Sequence, residues 1–231
     1  MKQVTTQAIV LTRTDFGEAD RIITFLTPDK GKVRVIAKAV RKSKSKLAGG
    51  IELFSTSDIS YVVGRGDIST LTSSRLITYY GNIVKDLERT GAGYEFIRLL
   101  HKATEEQTEP AYFHLLEKSF KALNDSDIDL ELVVLWFNMQ LLKLAGHTPN
   151  LRDDTAGARL QVKKTYDFNL DEMGFVSPRE REGQFQADHI KFMRLGFSAA
   201  SPHLLQRVTD APALAVPIQP LVKAMLAHVR A

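Results

Sequence analysis

The hydrophobic pattern changes period once, near residue 80, and that change limits the architectures open to the chain. Before it, apolar residues alternate or come in short runs, as strands require. After it they recur at three- and four-residue spacing, as helices require. Strands are expected at Val4–Arg13, Arg21–Thr27, Lys32–Lys38, Ser57–Val63 and Ile68–Ile77. Pro28-Asp29-Lys30-Gly31 and Gly64-Arg65-Gly66-Asp67 supply turn chemistry between them. Five short strands with hairpin-like turns predict a small closed barrel. An oligonucleotide-binding (OB) fold is the first reading, and strand spacing does not separate it from an SH3-like barrel.

Helices are expected beyond residue 80. Phe96, Leu99, Leu100 and Ala103 share one face, and Phe113, Leu116, Phe120 and Leu123 share another behind Pro110, which suits a first helical turn. From Leu130 to Leu144 apolar residues point nearly all round, so this helix, at about 128–145, should be the most buried of a helical bundle. Asp127 or Asp129 can cap it, and Trp136 reads as core rather than as a base-stacking residue. Residues 151–187 are polar and irregular, with a small β insertion pairing Leu160–Asn169 with Phe175–Val176. Two shorter helices close the chain, one capped by Asp188 and one starting near Pro217. The predicted class is α+β: an OB-fold nucleic-acid-binding domain at 1–80, then a helical domain at 81–231 with an insertion at about 150–182.

Charge divides at the same place. Residues 1–85 carry fourteen Lys/Arg against seven Asp/Glu, and residues 86–231 carry seventeen against twenty. A polyanion should therefore dock on the first third. Lys30–Lys46 concentrates the excess, with eight cations and no acid. On the third strand Val33, Val35 and Ala37 should face inward, and Lys32, Arg34, Ile36 and Lys38 outward. Arg41, Lys42, Lys44 and Lys46 continue into a Lys/Ser-rich loop. Such a surface suits phosphates; the plainer reading is a solvated sheet face with a flexible charged loop.

Several chemistries find no support. The chain has no cysteine, which excludes disulfides, thiolate metal sites and cysteine nucleophiles. Its six histidines form no metal-binding array, and no phosphate loop, dinucleotide fingerprint or nucleophile elbow is present. No enzyme activity is expected. With neither a membrane span nor a signal-peptide core, a cytoplasmic protein is expected.

Gly17-Glu18-Ala19-Asp20, RIITFLT at 21–27, Gly31-Lys32, AKAVRKSKSK at 37–46, Phe54 and Gly66-Asp67-Ile68-Ser69-Thr70-Leu71 resemble the bacterial RecO recombination-mediator family. The resemblance is strong over 7–77 and continues through the apolar helix and LAGHTPNL to about residue 180. It implies an OB fold, a helical domain and, in many members, a four-cysteine zinc module. Here Asp153 or Asp154 with Ala156, and Ser177 with Glu180, stand near the cysteine positions, so the insertion should hold without zinc. No cofactor is expected. The resemblance further implies binding of single- and double-stranded DNA and annealing of complementary strands in DNA repair. It implies help, with RecR, in loading RecA onto DNA coated by the single-stranded-DNA-binding protein, in the bacterial cytoplasm at the nucleoid. Arg34 and Lys38 match the family's basic DNA-binding positions. Two other readings stay open: an RNA-binding OB protein, which charge does not distinguish, and a non-catalytic interaction module.

Overall fold

The computed structural model describes residues 2–104, 109–178 and 180–229. Five strands, β1 (Gln3–Phe16), β2 (Asp20–Thr27), β3 (Gly31–Ala37), β4 (Ser55–Val62) and β5 (Ser69–Tyr79), close a barrel in the order β1-β2-β3-β5-β4. β1 is long enough to serve two neighbours. Its first half pairs with β4 and its second with β2, and a register shift between Val10 and Thr12 bends it between them. A parallel pairing, Val35 with Ser69 and Ile36 with Thr70, completes the closure. This is the OB order, which strand spacing alone left open against an SH3-like barrel.

Alternation fills the interior. Ala8 and Val10, Ile23 and Phe25, Val35 and Ala37, and Ile59 and Tyr61 point inward from four strands, two residues apart. Val63, expected to continue the β4 series, lies past the strand's end and is exposed.

Two helices follow, α1 (Leu87–Ala103) and α2 (Pro110–Leu123). Chain packing gives two compact units, Met1–Asp125 and Ser126–Ala231, so α1 and α2 lie in the barrel's unit. Phe54 pins them there. Its ring lies 5.2 Å from that of Tyr94 on α1 and 5.4 Å from that of Phe120 on α2. A side chain on Gly93 would come within 2.6 Å of it. The pin holds Phe54 in the left-handed region, at φ 53°, a conformation that disfavours a bulky residue and persists only where packing enforces it. Phe96 is buried on α1 as expected, whereas Ala103 is exposed at its last turn.

The second unit is built on α3 (Leu130–Leu144). Asp129 caps it, accepting from the Glu131 and Leu132 backbone N–H groups. Trp136 is a core residue, 2% exposed, and its Nε1 donates to the Ala199 carbonyl at 3.0 Å. Beside it are α4 (Ala187–Ser198), α5 (His203–Gln206) and α6 (Ala211–His228). Gln140 and Lys143 of α3 donate to the Gly196 and Phe197 carbonyls near the end of α4, where helical partners run out.

Three further details differ from the sequence expectation. Asp188 does not cap α4. Gln186 and His189 form a reciprocal capping box, and Asp188 sits in the first turn paired with Lys191. Burial pushes the His189 pKa down, which keeps its Nδ1 available to accept the Gln186 N–H. The last helix begins at Ala211, not near Pro217, because the seam Ala211, Ala215, Ile218, Val222 and Met225 stays buried through Pro217 and Pro220. The stretch after α3 contains a strand. β6 (Asn150–Asp154) pairs parallel with β8 (Gly174–Val176), which also pairs with β7 (Asp167–Asn169). Among the described residues no helix is long and apolar enough to cross a membrane.

Candidate nucleic-acid interface

The basic stretch begins on β3. Val35 and Ala37 are fully buried, Val33 is half-buried, and Arg34 between them is exposed. Lys32 is only half-exposed, and its Nζ donates to the His101 carbonyl at 3.0 Å. His101 lies in the last turn of α1, where carbonyls lack helical donors and a cation is favourable. Lys32 is thus tied to its own fold, whereas Arg34 faces solvent.

Beyond β3 the chain is anchored rather than loose. The Asp20 carboxylate accepts the Ala39 N–H at 2.7 Å, and the Ala19 carbonyl accepts the Arg41 N–H at 3.0 Å. These contacts hold Ala39 at φ 54°. Val40 then enters the barrel core, 4% exposed, as does Ile51 further on, 1% exposed. Between them Ser74 of β5 donates to the Leu47 carbonyl at 2.7 Å, and a short 3-10 turn runs from Ala48 to Ile51. Gly50 presses against Ser74 so closely that a Cβ there would meet the serine Cβ at 2.5 Å. The sequence alone suggests a flexible loop. The structure shows one whose apolar residues plug the barrel and whose cations face out.

Lys38, Arg41, Lys42, Lys44 and Lys46 are all exposed. Among the described residues no ion pair holds Arg34, Lys38, Lys42, Lys44 or Lys46. Arg41 has a weak partner: its Nε lies 3.5 Å from Asp15, whose other oxygen takes Arg21 Nε at 2.8 Å. The hydrogen bond from Arg21 holds the Asp15 carboxyl below its ordinary range, with Arg41 adding to the effect. Lys30 pairs with Asp29. Five unpaired cations lie on one pinned surface, with Arg41 beside them, and such a surface suits phosphates. It lies on and next to β2 and β3, the usual oligonucleotide face of an OB barrel.

Cation content found this face from sequence, but the residues that shape it were not identified. Asp20, Ala19 and Asp15 hold the loop in place. The sequence signal for Ala19 and Asp20 is Gly17-Glu18-Ala19-Asp20, an acidic turn preceding a basic stretch.

The zinc-module positions do not fit a metal. Among the described residues no three His, Asp or Glu side chains gather to hold one. Asp154 Oδ1 instead accepts the Ala156 and Ala158 N–H groups of its own turn. An aromatic cluster occupies the centre of the small sheet: Phe175 lies 5.2 Å from Phe168, 5.8 Å from Phe185 and 6.3 Å from Tyr166, ring to ring. Phe175, Phe185 and Tyr166 are all at most 2% exposed.

Residues 1–80 match the family described as recombination protein O, N terminal, and residues 84–189 match recombination protein O, C terminal. A DNA repair protein RecO of Dehalococcoides mccartyi is 36% identical over 180 residues, covering 78% of this chain and 70% of that protein. RecO of a Roseiflexus species is 34% identical over 174 residues, covering 75% and 60%. RecO of Listeria monocytogenes is 28% identical over 198 residues, covering 83% and 76%. With both family models matched in order over most of its length, the chain belongs to the RecO family of DNA repair proteins.

Proposed function

We propose that this protein binds single- and double-stranded DNA through Arg34, Lys38, Arg41, Lys42, Lys44 and Lys46, with Lys32 at the margin, and anneals complementary strands. The observation that carries the proposal is the set of five unpaired cations on β3 and the anchored stretch that follows it. Ordering these groups before binding lowers the entropy lost on contact. Cations that neutralise phosphates also reduce repulsion between two strands and raise their local concentration, so one surface serves both binding and annealing. No bond is made or broken in this activity, and no enzyme chemistry is required.

Membership of the family extends the proposal to partners. With RecR, the protein helps load RecA onto DNA coated by the single-stranded-DNA-binding protein, in the bacterial cytoplasm at the nucleoid. The test is annealing of complementary oligonucleotides, bare and coated by the single-stranded-DNA-binding protein. Faster annealing on both is expected. No acceleration on either, at low salt, would overturn the proposal. RNA of the same sequence in competition checks the RNA reading, and RNA displacing DNA at lower concentration would favour it.

A further inference from the structure

Phe16 is an exposed aromatic ring on the hairpin that anchors the basic loop. It is 52% exposed and ends β1 at the tip of the β1–β2 hairpin, opposite Asp20. Its neighbour Asp15 holds Arg21 and Arg41. Ala19, across the hairpin turn, accepts the Arg41 N–H, and Asp20 accepts that of Ala39. The backbone that carries Phe16 is therefore the backbone that anchors the basic loop. Gly17, at φ +58°, turns the chain immediately after the ring, and no heavy atom lies within 4 Å of where its Cβ would stand. Among the described residues no other aromatic ring packs against Phe16.

An isolated exposed apolar residue needs no explanation, and Leu87 and Val162 are more exposed than Phe16. Phe16 differs in being aromatic and in sharing the outer face of the sheet with Arg34, since the register sets Phe16 opposite Asp20, Ile22 opposite Ile36 and Thr24 opposite Arg34, with alternate residues on one face. A flat ring at a fixed position next to phosphate-binding cations is the combination by which proteins hold single strands without reading sequence. The face of a base is free in an unpaired strand and covered in a duplex. We propose that Phe16 stacks one unpaired base while neighbouring phosphates of the same strand lie on Lys38 and Arg34. The ring thereby gives the surface a preference for single strands, which its cations alone do not supply. This inference rests on the nucleic-acid reading of the basic face.

The test compares the full chain with Phe16→Ala, Phe16→Tyr and Phe16→Trp, using an oligo(dT) single strand and a duplex of equal length. Phe16→Ala should weaken single-strand binding roughly tenfold, within the ~5- to 150-fold range for loss of one stacked base. It should leave the salt slope unchanged and shift duplex affinity by less than about twofold, because the phosphate contacts remain. Phe16→Tyr should restore single-strand binding. Phe16→Trp should show fluorescence quenched by the single strand and not by the duplex, against the background of the chain's one native tryptophan, the buried Trp136. Equal loss on both nucleic acids, or unchanged single-strand affinity in a folded Phe16→Ala protein, overturns the inference and leaves the basic face standing. Failure of the unsubstituted chain to bind either probe overturns both.

Discussion

The loop from Lys38 to Ile51 and the insertion from Asn150 to Glu182 look alike as sequence: polar, charged and without clear period. Their structures solve the same problem in opposite ways. The loop is held by hydrogen bonds of its backbone to Asp20, Ala19 and Ser74 and by Val40 and Ile51 in the core, and its lysines are left without ion pairs. The insertion is held by its own aromatic centre and turns several of its polar groups on itself. Arg181 pairs with Asp167 at 2.6 Å, Asp154 caps its own turn, and the Thr165 hydroxyl accepts the Gly183 N–H. The difference lies in the acids: residues 38–51 hold none, so the loop's lysines have no partner within it, whereas the insertion's Asp154 and Asp167 take donors from their own module.

The largest expected effect tests the insertion's side of that contrast. Phe175→Ala should cost about 3–5 kcal/mol in denaturant unfolding of whatever cooperative unit contains the small sheet, because Phe175 is fully buried at the centre of the cluster. Chelators should leave stability unchanged, and purified protein should carry no stoichiometric zinc. Zinc bound through residues 150–182 would show that this module is not held by packing alone.

Next comes the loop's anchor. Asp20→Ala removes the acceptor of the Ala39 N–H and should cost about 1 kcal/mol, with a several-fold loss of DNA affinity as the cations lose their fixed placement. Loss of stability without loss of affinity would mean that placement is irrelevant to binding. Ala39→Gly probes the same turn with the opposite sign. A left-handed residue with a Cβ is strained by roughly 1 kcal/mol, so glycine should stabilise the chain by up to that amount in a melting experiment.

The smallest effect concerns Asp15, the anion beside Arg41. Asp15→Asn should tighten DNA binding a few-fold at low salt and hardly at all at high salt, since exposed charges are screened. Its pKa is depressed, so whatever the pairing adds to stability is present above the ordinary value of 3.8 and lost as pH falls through the lowered one. Between pH 6 and 8 neither its charge nor this effect should change, which a pH series on the same variant checks.

Legibility followed how local the cause was. The strands were readable because β-branched runs and turn residues act within a few positions. At the β2–β3 turn, for example, Thr27 donates to the Gly31 carbonyl and Gly31 takes φ 60°. The apolar helix α3 was readable because burial on nearly every face leaves a composition that no other context explains. Non-local causes stayed hidden. Nothing around Phe54 announces that Gly93, Tyr94 and Phe120 will force it to a positive φ. The prolines in α6 suggested a break, yet a buried seam carried the helix through them. β6 shows no alternation and exists because β8 offers it an edge. At the interface, the cations could be read from their number, but their anchoring could not, because it depends on Asp20 and Ser74 from other strands.

The central claim is that Arg34, Lys38 and the anchored loop form one phosphate-binding face. It is tested most directly by the salt dependence of single-strand binding in the unsubstituted chain and in the Arg34→Ala/Lys38→Ala double variant. Six cations set a limiting slope of about −4.2 in log K against log salt, at about −0.7 per phosphate contact. The double variant should keep its melting temperature, flatten the slope by up to about 1.4, weaken binding to every sequence alike and lose annealing in parallel. A folded double variant with unchanged affinity and unchanged slope would contradict the claim, as would a loss confined to one DNA sequence, which would mean base readout.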